Sequence, residues 1–79
     1  MEIKTYYKTQ SEVADAINKL IDSYWGDEIK EESLIELIKK VKQNNEHLLY
    51  KEGEFSSVVK LKSGKRRLEL VSKILNATK

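Results

Sequence analysis

A chain of 79 residues sits at the small end of the domain range, so it holds one hydrophobic core in a single domain, 1–79, and leaves no room for a second. With no cysteine and one histidine, His47, it has no disulfide, no thiolate metal site and no loop of EF-hand spacing, and no cofactor is expected. The net charge is only +2, but residues 1–53 carry 8 basic and 11 acidic side chains while residues 54–79 carry 7 and 2, an asymmetry that points to an anionic partner for the last third.

Met1 to Glu12 shows neither a basic stretch followed by an apolar one nor a myristoylation pattern, so the reading is a cytoplasmic protein. Residues 2–8 alternate in part through Ile3, Thr5 and Tyr7 and suit a short strand or an extended arm. Thr9 followed by Glu12 is a capping box and predicts a helix start. Val13, Ala16, Ile17, Leu20, Ile21 and Tyr24 then recur at three- and four-residue spacing on a face about 140° wide, and Gly26 ends the helix. Trp25 lies roughly 110° off the centre of that face, which makes it the candidate protein-contact anchor rather than core.

Ser33 and Glu36 repeat the capping box, although the acidic stretch from Asp27 to Glu32 would also let the second helix begin a turn earlier. Leu34, Leu37, Ile38 and Val41, widened by Ile35, form its apolar stripe, and Asn44 and Asn45 end it. Residues 46–62 have two readings. Phe55, Val58, Val59 and Lys62 fit a short helix capped near Gly53, whereas Leu48–Lys51 and Glu54–Lys62 could form a hairpin turning at Glu52-Gly53; the short helix is favoured. Beyond Gly64, the residues Leu68, Leu70, Val71, Ile74 and Leu75 span one face of a final helix that Ser63 could cap.

The expected fold is therefore mainly α, a small bundle of three main helices plus a short helix or hairpin around 46–62. Val13, Ile17, Leu20, Leu37, Ile38, Val41, Leu68, Val71 and Leu75 are expected to share one core. The longest apolar runs, such as Leu48 to Tyr50, fall far short of the roughly 20 residues of a membrane span, so no membrane partner is expected. Asn76-Ala77-Thr78 matches a glycosylation acceptor, which without a leader is read as chance.

Chemistry concentrates in one segment. Lys60, Lys62, Lys65, Arg66 and Arg67 cluster around Gly64, the last three at the start of the final helix, where the helix dipole disfavours cations unless an anion offsets them. The anion is either external, a nucleic-acid phosphate or a partner's carboxylates, or it is the acidic first half of the same chain. The helix-glycine-helix layout of Phe55 to Leu75 also invites a helix-turn-helix reading, against which Ser63 and Lys65 stand where apolar residues should flank the turn. No activated nucleophile, histidine–carboxylate pair, glycine-rich phosphate loop or zinc-protease spacing is present, so no enzyme is expected. Asp15 and Lys19, spaced i,i+4, read as an ordinary surface pair, and His47 as a cation at a helix end.

Gly64-Lys65-Arg66-Arg67-Leu68, with Val71 and Ile74-Leu75, resembles the C-terminal pattern of an uncharacterised family of small helical proteins from low-GC Gram-positive bacteria and their phages or mobile elements. The resemblance runs from Glu54 onward and implies that Gly64 to Arg67 matter. Heavy use of Lys, Glu, Ile and Asn without proline fits an AT-rich genome of that kind. Two functions follow as expectations: a protein-binding modulator of a host complex, which is favoured, or a nucleic-acid-binding regulator using residues 60–67. The small core and wide apolar faces on the second and last helices further predict a homodimer.

Overall fold

The structure is a computed structural model that describes residues 6–77. Three long helices, one helical turn and a minimal hairpin follow one another: α1 (Gln10–Trp25), α2 (Glu31–Asn44), α3 (Glu46–Leu49), β1 (Tyr50–Lys51), β2 (Glu54–Phe55) and α4 (Ser57–Ala77). Of the strand or arm expected at 2–8, residues 2–5 lie outside the described residues. Tyr6, Tyr7 and Lys8 form no strand, because the Tyr7 N–H donates to the Asn45 side-chain oxygen at 2.8 Å instead of to a neighbouring strand.

α1 starts as its capping box demands. The Thr9 hydroxyl accepts the Glu12 N–H at 3.1 Å, and the Glu12 carboxylate reaches back to the Lys8 N–H at 3.2 Å, one residue before the usual partner. Its end is a Schellman motif: the Glu28 N–H donates to the Ser23 carbonyl and the Asp27 N–H to the Tyr24 carbonyl. The left-handed position belongs to Asp27, with φ 61°, rather than to Gly26, and Asp tolerates that region through its short polar side chain.

α2 begins at Glu31, one turn before the position set by a Ser33 cap. Ser33 lies inside the first turn, and the residue before the helix, Lys30, makes no side-chain capping bond. Glu31 and Glu32 supply the start instead, as carboxylates at the positive end of the helix dipole.

Residues 46–62 combine both readings. α3 is one turn, and the hairpin pairs Tyr50 with Phe55 and Lys51 with Glu54, the two rings stacking with centroids 5.0 Å apart. The turn residues Glu52 and Gly53 have φ of 55° and 85°, the positive pair that a tight two-residue hairpin requires. The favoured short helix is thus displaced: Phe55 is in β2, and the helix that takes Val58, Val59 and Lys62 starts at Ser57. Ser56 pins that start to α3, its hydroxyl donating to the Leu48 carbonyl at 2.9 Å and its N–H to the Leu49 carbonyl at 2.8 Å.

α1 is the central element, packed against α2, α3 and α4. Val13, Ile17, Leu20, Ile38, Val41, Leu68 and Val71 are buried as expected, joined by Ile21, Leu34, Leu49, Val59 and Ile74. Leu37 and Leu75 are half-buried at the rim of this core, so the apolar faces of α2 and α4 are narrower outward than their sequences imply. No helix among the described residues is long and apolar enough to cross a membrane.

Candidate functional site

The basic segment is organised by a break in α4. At Gly64 the backbone turns to φ 80° and ψ 168°, a region essentially restricted to glycine, so α4 consists of two helical segments, 57–63 and 65–77. A Cβ at this position would meet nothing within 4 Å, so the constraint is conformational and not steric. Gly64→Ala is therefore expected to cost about 1–3 kcal/mol, read as a lowered melting temperature; an unchanged melt would show that the break relaxes into continuous helix. The segments are joined by one residue, not by the 3–4-residue turn of a helix-turn-helix, and the DNA-reading geometry of that motif is not formed. Ser63 does not cap the second segment with its side chain. It is buried, and its hydroxyl has no hydrogen-bond partner among the described residues.

One line of side chains along α1 meets this region of α4. Ser11, Asp15, Asn18, Asp22 and Trp25 succeed one another at alternating spacings of four and three, which keeps them on one ridge of the helix. The Lys62 ammonium lies 2.8 Å from the Asp15 carboxylate and donates to the Ser11 hydroxyl at 2.8 Å. Asp15 thus pairs across to α4 and not with Lys19. The Asn18 amide donates to the Lys62 carbonyl, next to the break, at 3.1 Å. Arg67 grips Asp22 through two nitrogens at 2.9–3.1 Å and places its remaining nitrogen on the Ser63 carbonyl at 3.2 Å.

The basic segment therefore divides. Lys60 pairs locally with Glu54, and the hydrogen bond first and the charge second hold the Glu54 carboxyl below its ordinary range. Lys62 and Arg67 are neutralised by α1. Lys65 and Arg66 are exposed and have no ion-pair partner among the described residues. The Arg66 guanidinium instead lies 5.7 Å from the Trp25 ring centroid and that of Arg67 at 6.0 Å, within cation–π range. Trp25 remains 48% exposed.

The Arg67–Asp22 pair is bidentate but partly solvated, which limits it to about 1 kcal/mol. Arg67→Gln is expected to lower the melting temperature by a few degrees at low salt and by less in high salt, whereas Arg66→Gln leaves it nearly unchanged. Equal effects of the two changes would show that the Asp22 ion pair does not set Arg67 apart from Arg66. His47 is exposed on α3, and no group of three His, Asp or Glu side chains arranged to hold a metal occurs among the described residues.

Fold and surface together define a small, mainly helical protein whose last helix is laced to its first by ion pairs, with an arginine-covered tryptophan at one end of the seam. The chain belongs to the family CLB_0814_fam, described as "Conserved hypothetical protein", whose model matches residues 4–76, well beyond the C-terminal stretch from Glu54. No curated protein and no solved structure matches it.

Proposed function

We propose that this chain is a small, non-enzymatic, cytoplasmic protein-binding modulator, encoded by a phage or mobile element of a low-GC Gram-positive bacterium, that regulates or inhibits a host protein complex through the surface around Trp25. The observation that carries this reading is the half-exposed Trp25 ring under the Arg66 guanidinium, with Lys65 following the same helical break. Tryptophan and arginine dominate the energetics of protein interfaces, and a ring already covered on one face has little freedom left to lose on binding. The composition, heavy in Lys, Glu and Ile and without proline, supports the genomic context.

Nucleic-acid binding through residues 60–67 is the second reading, favoured only by Lys65 and Arg66. Phosphate binding draws its strength from cations free to displace counterions, and Lys60, Lys62 and Arg67 are held by carboxylates of the chain itself. Immobilised wild-type chain should retain one or a few proteins from host lysate that Trp25→Ala loses and Leu61→Ala keeps. Gel shifts with DNA and RNA should show no binding that collapses between about 50 and 200 mM salt. Salt-steep nucleic-acid binding with no Trp25-dependent protein would reverse the order of the two readings.

A further inference from the structure

Arg66 lies over the Trp25 ring, but neither it nor Lys65 has an ion-pair partner among the described residues. On the α4 side stand Lys65 and Arg66. The chain leaves Trp25 through the turn into α2, and Asp27 and Glu28 of that turn and Glu31 and Glu32 at the start of α2 are all exposed. None of these four carboxylates makes an ion pair among the described residues, with Lys65 and Arg66 or with any other cation. Elsewhere the fold does pair its charges across helices, as Lys62 with Asp15 and Arg67 with Asp22 show. Lys65, Arg66 and these four carboxylates are among the charges left without such a pair.

We infer that the surface around Trp25 is covered, when no target occupies it, by a second copy of this chain related by a two-fold axis, so that Lys65 and Arg66 of each copy meet the acidic turn of the other. This rests on the reading of Trp25 as a protein-contact anchor and adds the regulation of that surface. A patch with an apolar centre, a cationic side and an anionic side is its own complement under a two-fold rotation, which is the condition an isologous interface must meet. The pairing also gives Lys65 and Arg66 the anions that their place at the start of a helical segment calls for, an offset that Arg67 already has in Asp22. The apolar ring at the centre supplies the desolvated anchor, and the charges fix partner and register. A target that binds Trp25 then competes with the second copy.

The test is a charge exchange followed by mass. One variant carries Lys65→Glu and Arg66→Glu, making the patch wholly acidic. The other carries Glu28→Lys and Glu31→Lys, making it more basic while sparing Asp27, whose left-handed backbone disfavours lysine. Circular dichroism establishes that each is folded, and Trp25→Ala provides a variant with no change of charge. In sedimentation equilibrium from micromolar to millimolar concentration, the wild type should approach twice the 9.2 kDa of one chain. Trp25→Ala and each charge variant alone should stay at the mass of one chain, and an equimolar mixture of the two charge variants should recover the doubled mass. A wild type at single-chain mass throughout overturns the inference, as does a dimer that survives all three changes and so uses another face. Trp25-dependent capture of a target by a chain that is always monomeric would overturn the pairing alone, whereas absence of both capture and pairing would remove the reading on which it rests.

Discussion

Leu20→Ala is expected to remove most of the stability of this protein, about 2–5 kcal/mol, against roughly 5 kcal/mol at the lower end of the range for small domains. Leu20 is fully buried near the middle of α1, the helix that touches α2, α3 and α4. Its neighbours belong to elements anchored independently: the Asp15 and Asp22 ion pairs hold α4 in place, and the Schellman motif fixes the turn into α2. They cannot all move inward to fill a hole, so the variant loses both the transfer of the side chain and the packing around the cavity. Chemical denaturation followed by circular dichroism measures the loss. Leu61→Ala is the matched control, because Leu61 is 85% exposed, and it should change stability by no more than about 0.5 kcal/mol. Similar midpoints for the two variants would show that the α1 stripe is not the core.

How much of this was legible in the sequence depended on whether independent signals agreed. For α1 they did: Thr9 and Glu12 marked its start, the spacing from Val13 to Tyr24 its buried face, and Gly26 its end, all within a residue of the observed bounds. For α2 two start signals competed, and the pair Ser33 and Glu36, although spaced as a capping box, lost to the carboxylates before it. Around residue 55 the helical spacing of Phe55, Val58, Val59 and Lys62 was coincidental for Phe55. A two-pair hairpin is too short to show alternation, and no local spacing marks Ser56, whose hydroxyl ties the start of α4 to the Leu48 carbonyl. The break at Gly64 was visible as a glycine, but not that this single residue, at φ 80° and ψ 168°, makes it.

The surface was legible as a list of residues and not as a set of partners. The charge asymmetry between the two parts of the chain suggested that the basic segment needs an anion. It could not say that Asp15 and Asp22, more than forty residues away, provide one for Lys62 and Arg67 and leave Lys65 and Arg66 without. The signal that would have found them is the ridge of Ser11, Asp15, Asn18, Asp22 and Trp25, a polar line running beside the apolar stripe of α1 at helical spacing. Such a line on a helix that must pack on two sides marks a seam with a neighbour, and the longest run of complementary charge is 60–67. What it leaves undetermined is register, which here is set by the residue at which α4 breaks.

Asn45→Ala is expected to cost about 2–4 kcal/mol, more than any surface change, because Asn45 is a buried polar residue that ties three parts of the chain together. It is 1% exposed. Its side-chain oxygen accepts the Tyr7 N–H at 2.8 Å, its amide donates to the Val41 carbonyl at 2.9 Å, and its backbone carbonyl accepts the N–H groups of Leu48 and Leu49 that form α3. Alanine preserves the backbone bonds and the helical turn but deletes the side-chain bonds to Tyr7 and Val41. The Val41 carbonyl keeps the Asn45 N–H at 3.0 Å, so on that side only the net worth of one hydrogen bond is lost, about 1 kcal/mol. The Tyr7 N–H, by contrast, loses the acceptor that holds it, adding about 1–3 kcal/mol if it stays in place or releasing the segment before α1 if it does not. Hydrogen exchange separates these outcomes from general loosening. The Tyr7 amide should become unprotected in Asn45→Ala while the amides of α1 around Leu20 slow or quicken only with global stability. An unchanged Tyr7 amide in a variant that melts normally would show that the segment before Thr9 is held without the Asn45 bond, and that Asn45 is buried for the sake of the α2–α3 corner.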